Sequence, residues 1–203
     1  MEIKEAIVVG QVSIDVVEGN LLAQPVTAIM LSANNKLEGG SGFANTILSL
    51  AGPTYEQECE EVARAAGPEG LRTGSATVVG GYGLAQGNLR RRVIQAITIH
   101  YRHGNRTPAP PEVVYRAVRS GLEKAELYRV SSVATYLMAM RPGYRTQLPD
   151  IMAEALCRAV IDHATIAGSV SRIVIVEESS RVPGLDTLQL AVKALKAAYQ
   201  ARY

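Results

Sequence analysis

Apolar residues along this 203-residue chain fall into short runs that alternate with longer segments of helical periodicity. The β-branched runs at residues 3–9 and 12–17 flank Gly10, a pattern typical of a β-hairpin. The nearly continuous apolar run at residues 26–31 predicts a strand that is buried on both faces. Further strands are predicted at residues 75–79, 92–99, 130–137 and 172–176.

The segments between these strands carry the spacing of amphipathic helices. Helices are predicted at residues 43–50, 54–66, 112–128, 150–166 and 185–199. Thr54 and Gln57 match a capping box at the start of the second helix. Strands that alternate with helices in this way predict an α/β domain with a partly parallel sheet.

Composition narrows the class of protein without naming a function. The chain is 47% hydrophobic and 20% charged, which is typical of a globular protein, and its length suits a single domain over residues 1–203. A net charge of +2 and an aromatic content of 5% argue against a nucleic-acid-binding surface. No apolar run is long enough for a membrane span, and the acidic N-terminus does not resemble a leader peptide. We therefore expect a cytoplasmic protein.

The cysteines and histidines form no metal-binding pattern. Cys59 and Cys157 are far apart and belong to no CxxC motif, so two buried thiols in a reducing compartment are expected. His100, His103 and His163 are scattered and are expected in loops or at the surface. We expect neither a metal nor a cofactor.

A glycine-dense loop between the strand at 26–31 and the helix at 43–50 is the first candidate for chemistry. Gly39, Gly40 and Gly42 allow a backbone conformation that directs several N–H groups at a phosphate. The loop contains neither the GxxxxGK[ST] motif nor the GxGxxG motif. Its composition alone fits a phosphate-binding loop and an ordinary turn equally well.

The order of residues 28–42, Ala-Ile-Met-Leu-Ser-Ala-Asn-Asn-Lys-Leu-Glu-Gly-Gly-Ser-Gly, resembles the signature of the macro domain family. Supporting matches follow in the family's order: Ala-Gly-Pro at 51–53, Glu-Cys at 58–59, Thr-Gly-Ser-Ala at 73–76 and Gly-Tyr-Gly-Leu at 81–84. Gly-Asn-Leu at 19–21 lies where the family has Gly-Asp-Ile. The resemblance covers about residues 12–176, before a C-terminal helix at 185–202. It implies a three-layer α/β/α fold with a mixed central sheet.

This resemblance also implies a ligand, ADP-ribose, and the residues that bind it. Asn34 matches the asparagine that bonds the distal ribose, and Asn20 matches the aspartate that reads the adenine amino group. Two loops would hold the diphosphate, one at 39–42 and one at 140–144. The implied binding residues are Asn20, Leu21, Ala33, Asn34, Gly39, Gly40, Ser41, Gly42, Phe43, Met140, Arg141, Pro142, Gly143 and Tyr144.

The chain departs from the family pattern at several of these positions. Asn20 can accept a hydrogen bond from the adenine amino group but without charge assistance, so adenine selectivity should be weaker. Ala44 stands where one hydrolase branch has a catalytic aspartate. The remaining departures are Leu31 in place of the first signature asparagine, Ser41 in place of glycine, and Gln95 in place of a histidine.

Three functions stay open at this point. The first is binding of ADP-ribose or of an ADP-ribosylated protein, and the second is hydrolysis of mono-ADP-ribosyl-protein or O-acetyl-ADP-ribose esters, with Asn34 orienting the distal ribose. The third and weakest is binding of RNA or poly(ADP-ribose) through the basic run at 90–92. Glu38 fits a general base or a solvent-facing acid, and Arg141 and Arg145 fit diphosphate contacts or exposed loop charges. The sequence does not predict an oligomeric state.

Overall fold

The computed structural model describes residues 2–39, 43–84, 91–102, 105–107, 109–140, 149–166, 168–178 and 184–203. The strands in these residues are β1 (Glu2–Val9), β2 (Val12–Glu18), β3 (Ala28–Asn34), β4 (Ala76–Gly80), β5 (Arg92–Arg102), β6 (Asn105–Thr107), β7 (Ser132–Thr135) and β8 (Arg172–Glu177). The α-helices are α1 (Phe43–Ala51), α2 (Pro53–Ala65), α3 (Pro111–Leu127), α4 (Pro149–Ala164) and α5 (Thr187–Gln200).

Seven strands form one mixed sheet in the order β1-β2-β8-β7-β3-β5-β4, and the short β6 pairs with the end of β5. The five inner strands, from β2 to β5, run parallel to their neighbours. The outer strands β1 and β4 run antiparallel to β2 and β5. Because the inner strands are parallel, their carboxyl ends meet at one edge of the sheet.

Helices cover both faces of this sheet. Gly121 of α3 lies against Met30 and Ile94, and a Cβ there would come within 3.0 Å of the Ile94 side chain, so the glycine lets α3 approach closely. On the neighbouring position of β5, Gln95 bonds Tyr55 and Cys59 of α2. Since successive side chains of a strand point to opposite faces, α3 and α2 lie on opposite sides. The fold is therefore a three-layer α/β/α arrangement, as the resemblance implied.

Some local predictions need correction. Helix α2 begins at Pro53 with Gly52 as its N-cap and no side-chain cap, so the capping box at Thr54 is wrong. Proline suits this first helical position because its missing N–H would have had no helical partner. Strand β7 is shorter than the predicted 130–137, and β6 was not predicted. Among the described helices, none is both long enough and apolar enough to cross a membrane.

A partly buried polar cluster lies at the opposite edge, where β8 begins. Glu126 at the end of α3 accepts hydrogen bonds from the Ser169 backbone N–H, from the Ser169 hydroxyl at 2.7 Å and from the Val170 N–H at 3.3 Å. His163 of α4 lies 3.1 Å from the same carboxylate and is only 2% exposed. The prediction that His163 lies in a loop or at the surface is wrong, since it is buried within α4. The sequence did not show this because the contact joins residues that are far apart along the chain.

The His163–Glu126 pair is expected to make the protein lose stability in acid. Burial lowers the pKa of His163 below its usual 6.5, and the Glu126 carboxylate offsets this only in part. The unfolded chain therefore binds a proton at His163 more readily than the folded protein does. The free energy of unfolding should have its full value above pH 6.5 and should decrease as the pH falls below 6.5. Burial opposes ionisation of Glu126, but the hydrogen bonds that its carboxylate accepts outweigh burial and lower its pKa below the usual 4.5. A second decrease in the free energy of unfolding is therefore expected below pH 4.5.

Urea unfolding of native protein and of His163→Gln, measured between about pH 3 and pH 8, checks this prediction. The variant should lose the decline that begins near pH 6.5 and keep the one at lower pH. A native stability that stays flat from pH 7.5 to pH 5 would contradict it.

Candidate functional site

Polar residues gather where four neighbouring parallel strands end. Asn20 follows β2, Glu177 ends β8, Tyr136 follows β7 and Asn34 ends β3. Strands β2 and β3 are separated by β8 and β7, which amounts to about 14 Å across the sheet at about 4.8 Å per strand. This edge, which we call the carboxyl edge, can therefore accommodate an elongated ligand.

The loop after β3 is closed by the side chain of Asn34. Its amide nitrogen donates to the Glu38 carbonyl at 2.9 Å, and its amide oxygen accepts from the N–H groups of Lys36 at 2.9 Å and Glu38 at 3.3 Å. Leu37 within this turn has a φ of 56° and is buried. A non-glycine residue in the left-handed region indicates a turn that the surrounding contacts enforce.

The neighbouring asparagine, Asn35, has a different role. It is 1% exposed, its amide nitrogen donates to the Glu69 carbonyl at 2.7 Å, and its oxygen accepts from the Tyr101 N–H at 2.6 Å. Its own carbonyl accepts from the Leu71 N–H. Asn35 thus ties the loop to β5 and to residues 69–71, a bracing function that the sequence analysis missed.

An aromatic contact joins the first loop to the segment after β7. The Phe43 ring at the start of α1 stacks on Tyr136, with centroids 5.2 Å apart. The Tyr136 hydroxyl accepts from the Ser32 backbone N–H at 3.3 Å, and the Ser32 hydroxyl lies 2.5 Å from that of Thr98. This network fixes the start of α1 relative to β3 and β7.

Glu177 is a fully buried carboxylate in the middle of the carboxyl edge. Its side chain accepts from the Leu137 backbone N–H, and its carbonyl accepts from the Gly19 N–H at 3.0 Å. It therefore connects the segment that leads to Asn20 with the segment after β7, where Ala139 adopts a φ of 61°. Glu177 ends an otherwise apolar run, and no local pattern in the sequence marks it.

Asn20 begins a tight turn after β2. It is exposed and caps the short 3-10 helix Leu21–Ala23, its amide oxygen accepting from the Leu22 N–H at 2.7 Å. Two buried side chains hold this turn: Gln24 donates to the Asn20 carbonyl at 3.0 Å, and Arg91 donates to the carbonyls of Leu22 and Gln24.

The structure brings half of the predicted binding residues to the carboxyl edge: Asn20, Leu21, Ala33, Asn34, Gly39, Phe43 and Met140. The other half lies outside the described residues: Gly40, Ser41, Gly42, Arg141, Pro142, Gly143 and Tyr144. Gly39 ends the first described segment, and a Cβ there would come within 3.0 Å of Leu48, so this loop lies against α1.

The structure also shows where the residues that depart from the family pattern lie. Ala44 is partly exposed on the first turn of α1, beside the loop that Asn34 closes. Leu31 is buried. Gln95 lies under α2 and donates to the Tyr55 hydroxyl at 2.7 Å and to the Cys59 sulfur at 3.4 Å. Burial raises the pKa of Cys59 to about 11, so its thiol stays protonated at neutral pH and is no nucleophile.

The basic run at 90–92 has contacts within the protein. Arg91 is buried against the Asn20 turn, and the Arg92 guanidinium lies 4.6 Å from the centroid of the Tyr128 ring. Arg90 lies outside the described residues. Among the residues that the structure describes, no group of three or more histidine, cysteine or acidic side chains could hold a metal ion.

Comparison with known protein families and sequences gives one consistent result. The family model described as Macro domain matches residues 31–140. A macro domain-containing protein of Methanosarcina mazei is 29% identical over 121 residues, which are 60% of this chain and 58% of that protein. A protein of Pyrobaculum aerophilum is 30% identical over 170 residues, 83% of this chain and 85% of its own length. The matches to two Thermoplasma proteins span 56% and 61% of those relatives.

Solved structures show the same fold. The Oceanobacillus iheyensis macrodomain with ADP has a TM-score of 0.77 and 19% identity, with 97% of each chain covered. A mutant of that macrodomain with ADPR has the same TM-score and 18% identity, with 97% of this chain and 98% of that chain covered.

Proposed function

Because the chain belongs to the macro domain family, we propose that it binds ADP-ribose, or a related ADP-ribosyl metabolite or modification, at the carboxyl edge. The observation that carries this proposal is the loop closed by Asn34 at the end of β3, next to the segment that follows β7. Structural neighbours with ADP and with ADPR support it.

The ligand would lie along the four strand ends. The base would lie at Asn20 and Leu21, and the distal ribose at Ala33 and Asn34. The diphosphate would lie between two loops, one formed by Gly39, Gly40, Ser41, Gly42 and Phe43 and the other by Met140, Arg141, Pro142, Gly143 and Tyr144. Backbone N–H groups at a loop before a helix are suited to phosphate because they donate without adding charge of their own.

Binding is preferred to the two alternatives for physical reasons. Hydrolysis of an ADP-ribosyl ester needs a group that positions or deprotonates water, and the methyl group of Ala44 cannot do so. Binding of RNA or poly(ADP-ribose) would need free cations, whereas Arg91 is buried with its guanidinium bonded to backbone carbonyls. An ADP-ribosylated protein is the natural macromolecular partner of a site for ADP-ribose.

Calorimetric titration with ADP-ribose, ADP and AMP tests the proposal. ADP-ribose should bind most tightly, because only it offers both the diphosphate and the distal ribose, and AMP should bind least tightly. The proposal would be overturned if ADP-ribose gave no binding, or bound no more tightly than AMP.

A further inference from the structure

The orientation of the Asn20 amide is fixed by its own turn. Its amide oxygen faces the Leu22 backbone N–H at 2.7 Å, and only an acceptor can occupy that side. The amide NH₂ group therefore points away from the turn. Among the residues that the structure describes, none accepts a hydrogen bond from this nitrogen, and the side chain is exposed. Asn20 thus presents a pair of donors at the carboxyl edge.

Two buried side chains fix the turn that carries this amide. The buried Gln24 side chain donates to the Asn20 carbonyl at 3.0 Å. The buried Arg91 guanidinium donates to the Leu22 carbonyl at 2.6 Å and to the Gln24 carbonyl. These bonds fix the backbone that follows Asn20, and the bond from the Gly19 N–H to the Glu177 carbonyl fixes the residue before it. A ligand therefore meets donors that are already oriented, with little ordering cost.

A carboxylate in the same place would present a different group to a base. One of its oxygens would accept from the Leu22 N–H, and the other would point outward as an acceptor, which matches a 6-amino group. Asparagine exchanges that outward acceptor for a donor, which replaces the expectation from the sequence that Asn20 accepts from the adenine amino group. Adenine offers the N7 acceptor beside an amino donor, whereas guanine offers two adjacent acceptors, N7 and O6. Hypoxanthine carries the same pair of acceptors.

We infer that Asn20 selects a 6-oxopurine nucleoside diphosphate over the 6-aminopurine equivalent. This inference rests on the proposed function, because it requires the base of the bound nucleotide to lie at Asn20. The diphosphate and ribose contacts are common to both classes of nucleotide, so ADP-ribose still binds. The base contact is what changes the order of affinities.

Titration of the full chain with IDP, GDP and ADP tests the inference. IDP or GDP should bind about 3- to 10-fold more tightly than ADP, the effect of about one hydrogen bond. Tighter binding of IDP assigns hypoxanthine, and tighter binding of GDP assigns guanine with its 2-amino group.

The Asn20→Asp variant is the decisive one, because a carboxylate keeps the bond to Leu22 and the turn should fold as before. Its order of affinities should reverse, with ADP about 3- to 10-fold tighter than IDP and GDP. Gln11→Glu, at the exposed turn before β2, makes the same amide-to-acid change at the opposite edge and should leave the native order intact.

The possible failures are distinct. If ADP binds as tightly as IDP and GDP or more tightly, or if Asn20→Asp leaves the order unchanged, the inference is overturned and the proposed function stands. If neither ADP-ribose nor any of the diphosphates binds, the proposed function is overturned and the inference with it.

Discussion

Asn34→Ala is expected to weaken ADP-ribose binding by about 10- to 100-fold while lowering stability by less than the neighbouring substitution Asn35→Ala does. The substitution removes the bonds that close the loop to Lys36 and Glu38, and it removes the group proposed to bond the distal ribose. Each such bond contributes about 0.5–1.5 kcal/mol, and about 1.4 kcal/mol is tenfold in affinity. Because Asn34 is only partly buried, the freed backbone groups can bond to water.

Asn35→Ala is the matched control, one residue along the chain. Here the Tyr101 N–H and the Glu69 carbonyl would lose their partner in a buried place. Stability should fall by about 2–3 kcal/mol, as expected for orphaned buried groups, while the folded fraction keeps most of its affinity. Calorimetry and urea unfolding of both variants measure the two effects separately. The assignment of roles would be wrong if Asn34→Ala bound ADP-ribose like the native protein.

The order of strands and helices could be predicted because the core pattern is local. The apolar run at 26–31 supplies the first half of β3, and the helical spacing at 112–128 corresponds to α3, since the pattern of buried positions is visible within each segment. The predictions are wrong at the ends of helices and strands whose positions depend on hydrogen bonds and tertiary contacts rather than on apolar periodicity. Helix α2 begins at Pro53 rather than at a Thr54 cap, and β7 ends before Tyr136, which turns to meet Phe43.

The site was less predictable than the fold. Asn34 and Asn35 are neighbours of the same type, and only the resemblance distinguished the first; the bracing by the second depends on Glu69 and Tyr101, which are distant in sequence. Local sequence patterns do not reveal the roles of the buried Glu177 and Arg91 side chains, because each bonds a backbone group of a distant segment. The outward donor of Asn20 follows from one bond to Leu22 and could not be derived from residue type alone.

Ala44→Asp is expected to raise the release of ADP-ribose from a glutamate-linked, mono-ADP-ribosylated substrate by about 100-fold or more. A positioned acid–base group typically contributes about 10²–10⁴-fold, and the native chain has a methyl group at this position. The stacking of Phe43 on Tyr136 already holds the first turn of α1. A carboxylate in that turn also interacts favourably with the helix N-terminus, so the variant should fold at least as well.

The gain should depend on the geometry of the site and not on added charge. Ser49→Asp puts the same carboxylate at an exposed position about 7.5 Å further along α1, at 1.5 Å per residue, and should stay near the native rate. Asn34→Ala combined with Ala44→Asp should return to that rate, because the distal ribose would lose its proposed anchor. Rapid native turnover that survives Asn34→Ala would contradict this account. In that case Glu38, exposed beside the same loop, becomes the carboxylate to substitute next, because a residue outside the ribose contact would be activating water.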